Sequence, residues 1–316
     1  MVRVHQDGGT RIRSSGSDIC VIFIHGILSN GEQAWMNGAV TTWPRLLAKD
    51  DSLSSVGIYE FSYRSDAFSR TYNLGDVVDS LREFFDLDAL WSTKRLIFVC
   101  HSMGGIAVRR FIVVNQAKFI DRGTEIGLFL VASPSLGPKD ENALHFLARL
   151  ARNAQADLLR FSQTNTWLND LDKEFLTLKE SRKIHIVGKE LIEDETIKIK
   201  KLLGLNTKIV EPFSAARYFG DPYKVPYSDH VNIAKPADND AIQHRLLVRF
   251  IKNKMYPEMA GSGVESITDE GRVDAKKALL ALNDRVDKGK LGNKTALAAL
   301  SEALISRIKT MGPRGT

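Results

Sequence analysis

Leu96-Ile97-Phe98-Val99-Cys100-His101-Ser102-Met103-Gly104-Gly105 runs from an unbroken apolar stretch into small residues and then into the helical pattern of Met103 to Gln116. A short apolar run with β-branched residues reads as a strand buried on both faces. A serine between such a strand and such a helix is the context of a nucleophile elbow, where the chain turns so sharply that small residues must flank the serine. The usual pattern, GxSxG, has glycine two residues before the serine; here that place is Cys100.

Outward from this stretch, runs of the same type recur at Ile19 to Ile24, Ile126 to Val131 and Ile184 to Val187, with a weaker, alternating version at Ile58 to Tyr63. Helical patterns lie between and after them, at Trp43 to Lys49, Asn73 to Leu90, Met103 to Gln116 and Asp238 to Lys254. Strands alternating with helices predict an α/β fold with a mostly parallel sheet and helices on both faces. Asp140 to Leu178 interrupts the alternation with helical periodicity and reads as a cap insertion, about residues 138–180. Residues 1–17 form a polar lead, 18–256 the main domain, and 257–316 a helical hairpin appendage whose two patterns are broken apart by Gly289 and Gly292.

A chain of 316 residues with 43% hydrophobic composition can bury a large core. The formal charge of +6 is scattered along the chain, which argues for a solvated surface and against a nucleic-acid site. The only two cysteines, Cys20 and Cys100, sit in or beside apolar runs, as small buried thiols do, and point to a reducing compartment such as the cytoplasm. No signal peptide and no uncharged apolar stretch of membrane-spanning length is legible.

A serine hydroxyl is a weak nucleophile until a base takes its proton, so a histidine must approach Ser102. Four histidines follow it. His145 falls in the inserted segment, His185 in a strand and His244 in a late amphipathic helix, whereas His230 lies on the polar loop Tyr227-Ser228-Asp229-His230-Val231-Asn232. His230 is therefore the candidate base. The acid that orients it should emerge just past the strand Ile184 to Val187, where Gly188-Lys189-Glu190 begins a loop. Glu190 is nearest the strand end, Asp194 comes next, and Glu193 and Glu195 are close by. The amides of Met103 and of Ile27, in Phe23-Ile24-His25-Gly26-Ile27, are the candidate oxyanion donors.

With these residues placed, the chain resembles the SERAC1-like branch of the lipase and esterase superfamily, related to the PGAP1-like and DUF676 serine esterases. The resemblance rests on Ile22 to Gly26 with Trp35 and Trp43-Pro44, on Cys100 to Gly105, on Ser133-Pro134-Ser135-Leu136-Gly137, and on Ser214-Ala215 leading into Asp229-His230-Val231-Asn232-Ile233-Ala234-Lys235-Pro236. It covers roughly residues 18 to 254. It implies an α/β-hydrolase fold and hydrolysis of an ester or amide of a lipid or other acyl substrate without metal or organic cofactor. It also implies a glutamate acid in a short strand-ending motif, which falls on Glu190. An acyl pocket lined by Phe146, Leu158, Phe161 and Trp167 of the inserted segment is expected.

The resemblance says nothing of residues 259–316. There Val273, Leu279, Leu280, Leu282 and Val286, then Leu297, Leu300, Leu304, Ile305 and Ile308, recur at helical spacing. Packing on itself or on the main domain is the simplest use of such stripes. Docking to a protein partner or a second copy comes next, and peripheral membrane contact third, because the stripes lack aromatic anchors. An active esterase, a hydrolase gated by a partner, and a non-catalytic scaffold all remain open at this point.

Overall fold

Ile19–Ile24 and Arg95–His101 are buried along almost their whole length, which requires cover on both faces of the sheet they occupy. In the computed structural model, residues 8–26, 31–38, 41–63, 74–133, 165–194, 218–220 and 222–255 are described. The chain divides into two compact units, Met1–Ala260 and Gly261–Thr316, and every described residue belongs to the first. The expected hairpin and most of the expected cap, with Phe146, Leu158, Phe161 and the Trp167 side chain, lie outside the described residues.

The described elements run β1 (Gly8–Arg13), β2 (Ile19–Ile24), α1 (Gly31–Trp35), the short pair β3 (Met36–Asn37) and β4 (Thr41–Thr42), α2 (Trp43–Ala48) and β5 (Gly57–Ser62). They continue with α3 (Leu74–Leu87), β6 (Arg95–His101), α4 (Met103–Val114), α5 (Gln116–Arg122), β7 (Glu125–Val131), α6 (Asn165–Ser181), β8 (Ile186–Glu193), β9 (Tyr223–Val225) and α7 (Ile242–Phe250). Among the described residues the main sheet has seven strands, in the order β1-β5-β2-β6-β7-β8-β9. Only β1 pairs antiparallel; the other six strands are mutually parallel.

Two apolar layers sandwich this sheet. Ile22, Ile24, Phe98 and Cys100 point into the layer of α3, α4 and α6, while Val21, Phe23, Ile97 and Val99 point into the layer of Trp35, Trp43, Leu47 and α7. Such a division follows from the two-residue alternation of a strand.

Several expectations are revised. Ile58 to Tyr63 alternates in sequence, but β5 lies between β1 and β2 and its first five residues are all buried. Part of the polar lead is the edge strand β1. Its Arg13 donates to the carbonyls of Ala48 and Val56, at 2.7 and 2.8 Å, and to that of Leu53, so a polar side chain here ties strand to loop. The last third of the expected cap is α6. Its Leu171, Phe175 and Leu178, four and three residues apart, join the layer of α4, so this portion is a crossover helix between β7 and β8 on the face of the sheet.

A buried polar knot ties α6 to α4. The Arg109 guanidinium meets Asp172 Oδ1 at 3.3 Å, donates to the Tyr218 hydroxyl, and reaches the Gly105 carbonyl at 3.2 Å through Nε, while the Tyr218 hydroxyl in turn donates to Asp172. Removing one partner of a buried ion pair strands the other charge. Asp172→Ala is expected to lose about 3 kcal/mol of stability, read by urea denaturation. A loss under about 1 kcal/mol would show that Asp172 does not compensate Arg109.

Glu60, in the middle of β5, is buried, and desolvation pushes its carboxyl up to about 7; Glu32 adds to the rise and Arg45 opposes it. The folded state therefore holds this proton more tightly than the unfolded chain, whose carboxyl titrates at its ordinary value of 4.5. Stability is fully present below that value and falls as pH rises toward 7. Glu60→Gln should melt as wild type does near pH 4.5 and at a progressively higher temperature up to pH 7, with the gain level above it. Parallel melting curves across this range would remove Glu60 as the cause.

Candidate active site

From β2 the chain crosses to β5 on one side and then returns to β6 on the other, so the direction of winding reverses between β2 and β6. In open parallel sheets the crevice at the carboxyl ends of such a strand pair is where ligands sit. Here those ends carry His25-Gly26 and His101-Ser102.

Ser102 joins β6 to α4 with φ 52° and ψ −125°, a conformation that a side chain rarely adopts and that functional sites retain. Its amide donates to the Val131 carbonyl at 3.0 Å, fixing the turn to the neighbouring strand. Cys100, where GxSxG has glycine, is still within β6. Its side chain points into the apolar layer beneath, between Ile24 and Leu130 on the flanking strands, so it does not crowd the turn. Burial pushes its thiol well above the ordinary range. At Gly26 a Cβ would stand 2.7 Å from that of Ser102, which explains why glycine begins the loop after β2.

His230 Nε2 lies 3.0 Å from Ser102 Oγ, and His230 Nδ1 lies 3.3 Å from Glu193 Oε1. All three side chains are buried. The loop that presents His230 is held by its own sequence. Asp229 Oδ1 accepts from the amides of Val231 and Asn232 at 2.8 and 2.7 Å, while Asn232 Oδ1 accepts from the Asp229 amide at 2.9 Å. This reciprocal pairing encloses His230 much as a capping box encloses a helix start. Asp194 anchors the loop to the end of β8: its amide donates to the Ser228 carbonyl at 3.1 Å and its Oδ2 accepts from the Tyr227 amide at 3.3 Å.

Ser102 and His230 are thus brought together as expected, but Glu190 is not the acid they meet. The β8 strand does not end at Val187; it runs through Gly188 to Glu193. Gly188 marks close packing in the strand, with a Cβ there only 2.4 Å from the Phe219 ring and 2.7 Å from the Leu128 carbonyl. Glu190 and Glu193 are three residues apart, so alternation sends them to opposite faces. Glu190 Oε1 accepts from the Tyr218 amide at 3.4 Å on the α4 and α6 side, and Glu193 faces His230. Asp194, the next choice, is the loop anchor, and Glu195 lies outside the described residues. The signal for Glu193 was available: Leu191 and Ile192 continue the apolar pattern past Glu190.

Of the two oxyanion candidates, Met103 is the first residue of α4, where a backbone amide has no partner within its own helix and the helix dipole favours negative charge. Ile27 lies outside the described residues. The residues before it are held firmly. The Tyr63 amide donates to His25 Nε2 at 3.1 Å, His25 Nδ1 donates to the Gly26 carbonyl at 2.7 Å, the Tyr63 hydroxyl donates to the His25 carbonyl at 2.9 Å, and the two rings stack with centroids 4.3 Å apart.

His101 was not singled out by sequence. It is buried, its Nε2 donates to the His230 backbone carbonyl at 2.8 Å, and its pKa is lowered to about 3, first by desolvation and then by the charge of His230. It therefore stays a neutral donor. Among the described residues no group of three or more His, Cys, Asp or Glu side chains could hold a metal ion, and no helix is long and apolar enough to cross a membrane.

The family model described as "Alpha/beta hydrolase family" matches residues 21–258. No curated protein matches the chain in sequence. Solved structures similar to it include the phospholipase PlaB of Legionella pneumophila, 14% identical, with TM-score 0.47 over 77% of this chain and 63% of that one. A monoacylglycerol lipase of Paleococcus ferrophilus is 13% identical, with TM-score 0.44 over 79% of this chain and 99% of that one.

Proposed function

Because the chain belongs to the alpha/beta hydrolase family and has its fold, we propose that it is a serine hydrolase that cleaves carboxylic esters of a lipid or other acyl substrate. The observation that carries this reading is the chain of contacts from Ser102 Oγ to His230 Nε2 at 3.0 Å and from His230 Nδ1 to Glu193 at 3.3 Å. A fold alone would not carry it.

Ser102 Oγ attacks the acyl carbonyl as His230 Nε2 takes its proton, and Glu193 holds the ring in the productive tautomer and stabilises the imidazolium. The amides of Met103 and Ile27 receive the oxyanion. His230 then returns the proton to the departing alkoxide, leaving an acyl ester on Ser102. Water activated by the same imidazole releases the acid and restores the hydroxyl. This chemistry requires neither metal nor organic cofactor.

Within the family, the four stretches from Ile22 to Pro236 support placement in the SERAC1-like branch. Two buried free thiols suit the cytoplasm, and residues 257–316 are the proposed element for docking to a partner or a second copy. The test is turnover of p-nitrophenyl esters from acetate to palmitate by the purified full chain. Saturable hydrolysis of at least one member, lost in Ser102→Ala, is the expected result, and the preferred chain length identifies the acyl class. No turnover of any ester by folded protein would overturn the proposal.

A further inference from the structure

His101 precedes the nucleophile by one residue, and alternation along β6 turns its ring to the face of Ile97 and Val99, where His230 stands. One side of the ring lies tilted against the His230 imidazole, with centroids 5.0 Å apart, and it also meets Trp35 edge-on at 6.3 Å. Trp35 is fully buried and packs in turn on Phe23 and Trp43. The Nε2–H bond to the His230 carbonyl, 2.8 Å long, thus connects the loop of the base to the nucleophile's own strand and to the rigid layer beneath it. The bonds of Asp229 and Asn232 stay within the loop, and those of Asp194 reach β8. The Nδ1 atom of His101 is buried with no hydrogen-bond partner among the described residues, which leaves the proton on Nε2.

We propose that His101 is a positioning residue for proton transfer, whose Nε2–H holds the His230 backbone so that the imidazole stands between Ser102 and Glu193. This deepens the hydrolase reading and rests on it. A displacement of the base by about 1 Å is enough to cost on the order of a hundred-fold in rate. A neutral donor does this without adding a positive charge beside the imidazolium that forms at His230.

The two amide side chains separate the roles of the two ring nitrogens. In His101→Gln the amide nitrogen falls near the place of Nε2, whereas in His101→Asn it falls near that of Nδ1. Both bury one uncharged amide, so both should lose similar stability. His101→Phe keeps a ring against Trp35 without any donor. On an ester that the wild type turns over, Asn and Phe are expected to lower kcat by roughly a hundred-fold with KM within about twofold, while Gln stays within about fivefold of wild type. Equal kcat for Gln and Asn, or kcat that merely follows melting temperature across the three variants, would overturn the proposal.

The second readout is the ring ¹⁵N resonances of His230 in histidine-labelled protein. They should move in Asn and Phe and return in Gln; unchanged resonances in all three also overturn the proposal. A wild type without esterase turnover would end the hydrolase reading, and the resonances would still decide whether His101 sets the position of His230.

Discussion

Replacing Ser102 by alanine is expected to lower kcat on a competent ester by on the order of 10⁵-fold while leaving the melting temperature within a few degrees of wild type. In the proposed mechanism the hydroxyl forms the acyl bond, and its contact in the site is with His230 Nε2 at 3.0 Å. Alanine inherits the strained backbone at φ 52° without adding volume, so the elbow should survive the change. The residual rate then reports what oxyanion donors and binding achieve without a nucleophile. Stopped-flow or steady-state ester hydrolysis alongside thermal denaturation reads both quantities. Residual turnover within tenfold of wild type in well-folded Ser102→Ala would mean that the chemistry happens elsewhere.

The second large effect distinguishes two glutamates on one strand. Glu193→Gln should reduce kcat by roughly 10³- to 10⁴-fold, because an amide can hold the ring in the wrong tautomer and cannot stabilise the imidazolium. Glu190→Gln should leave kcat within about threefold, since a glutamine oxygen can still accept from the Tyr218 amide and the side chain lies on the opposite face of β8 from His230. Measuring both variants on the same ester decides between them. A larger loss in Glu190→Gln than in Glu193→Gln would show that Glu190, not Glu193, orients His230.

What was legible in the sequence was local or periodic. The elbow could be read because strand, serine and small residues are contiguous from Leu96 to Gly105, and the mostly parallel sheet because four apolar runs alternate with helical patterns. His230 stood out because a polar Asp-His-Val-Asn loop has no structural need of a histidine, and the structure adds that Asp229 and Asn232 lock that loop from both sides.

That Glu193 and not Glu190 meets His230 was not legible, for a specific reason. Gly188 reads as the end of a strand, whereas it admits the Phe219 ring into the strand's neighbourhood. A strand end read too early points to Glu190 in place of Glu193, and an odd shift in a strand changes the face. The edge strand β1 was hidden because its Arg13 binds backbone carbonyls of α2 and of the α2–β5 connection, a use that hydropathy does not register. His101 was hidden because its partner is a backbone atom 129 residues away.

Treatment of the full chain with a fluorophosphonate, followed by intact mass and peptide mapping, tests the central claim most directly. A single adduct on Ser102, formed by wild type and reduced by orders of magnitude in Glu193→Gln, is the predicted result. Folded protein that takes up no adduct, or takes it up on another residue, would contradict the claim that His230 activates Ser102.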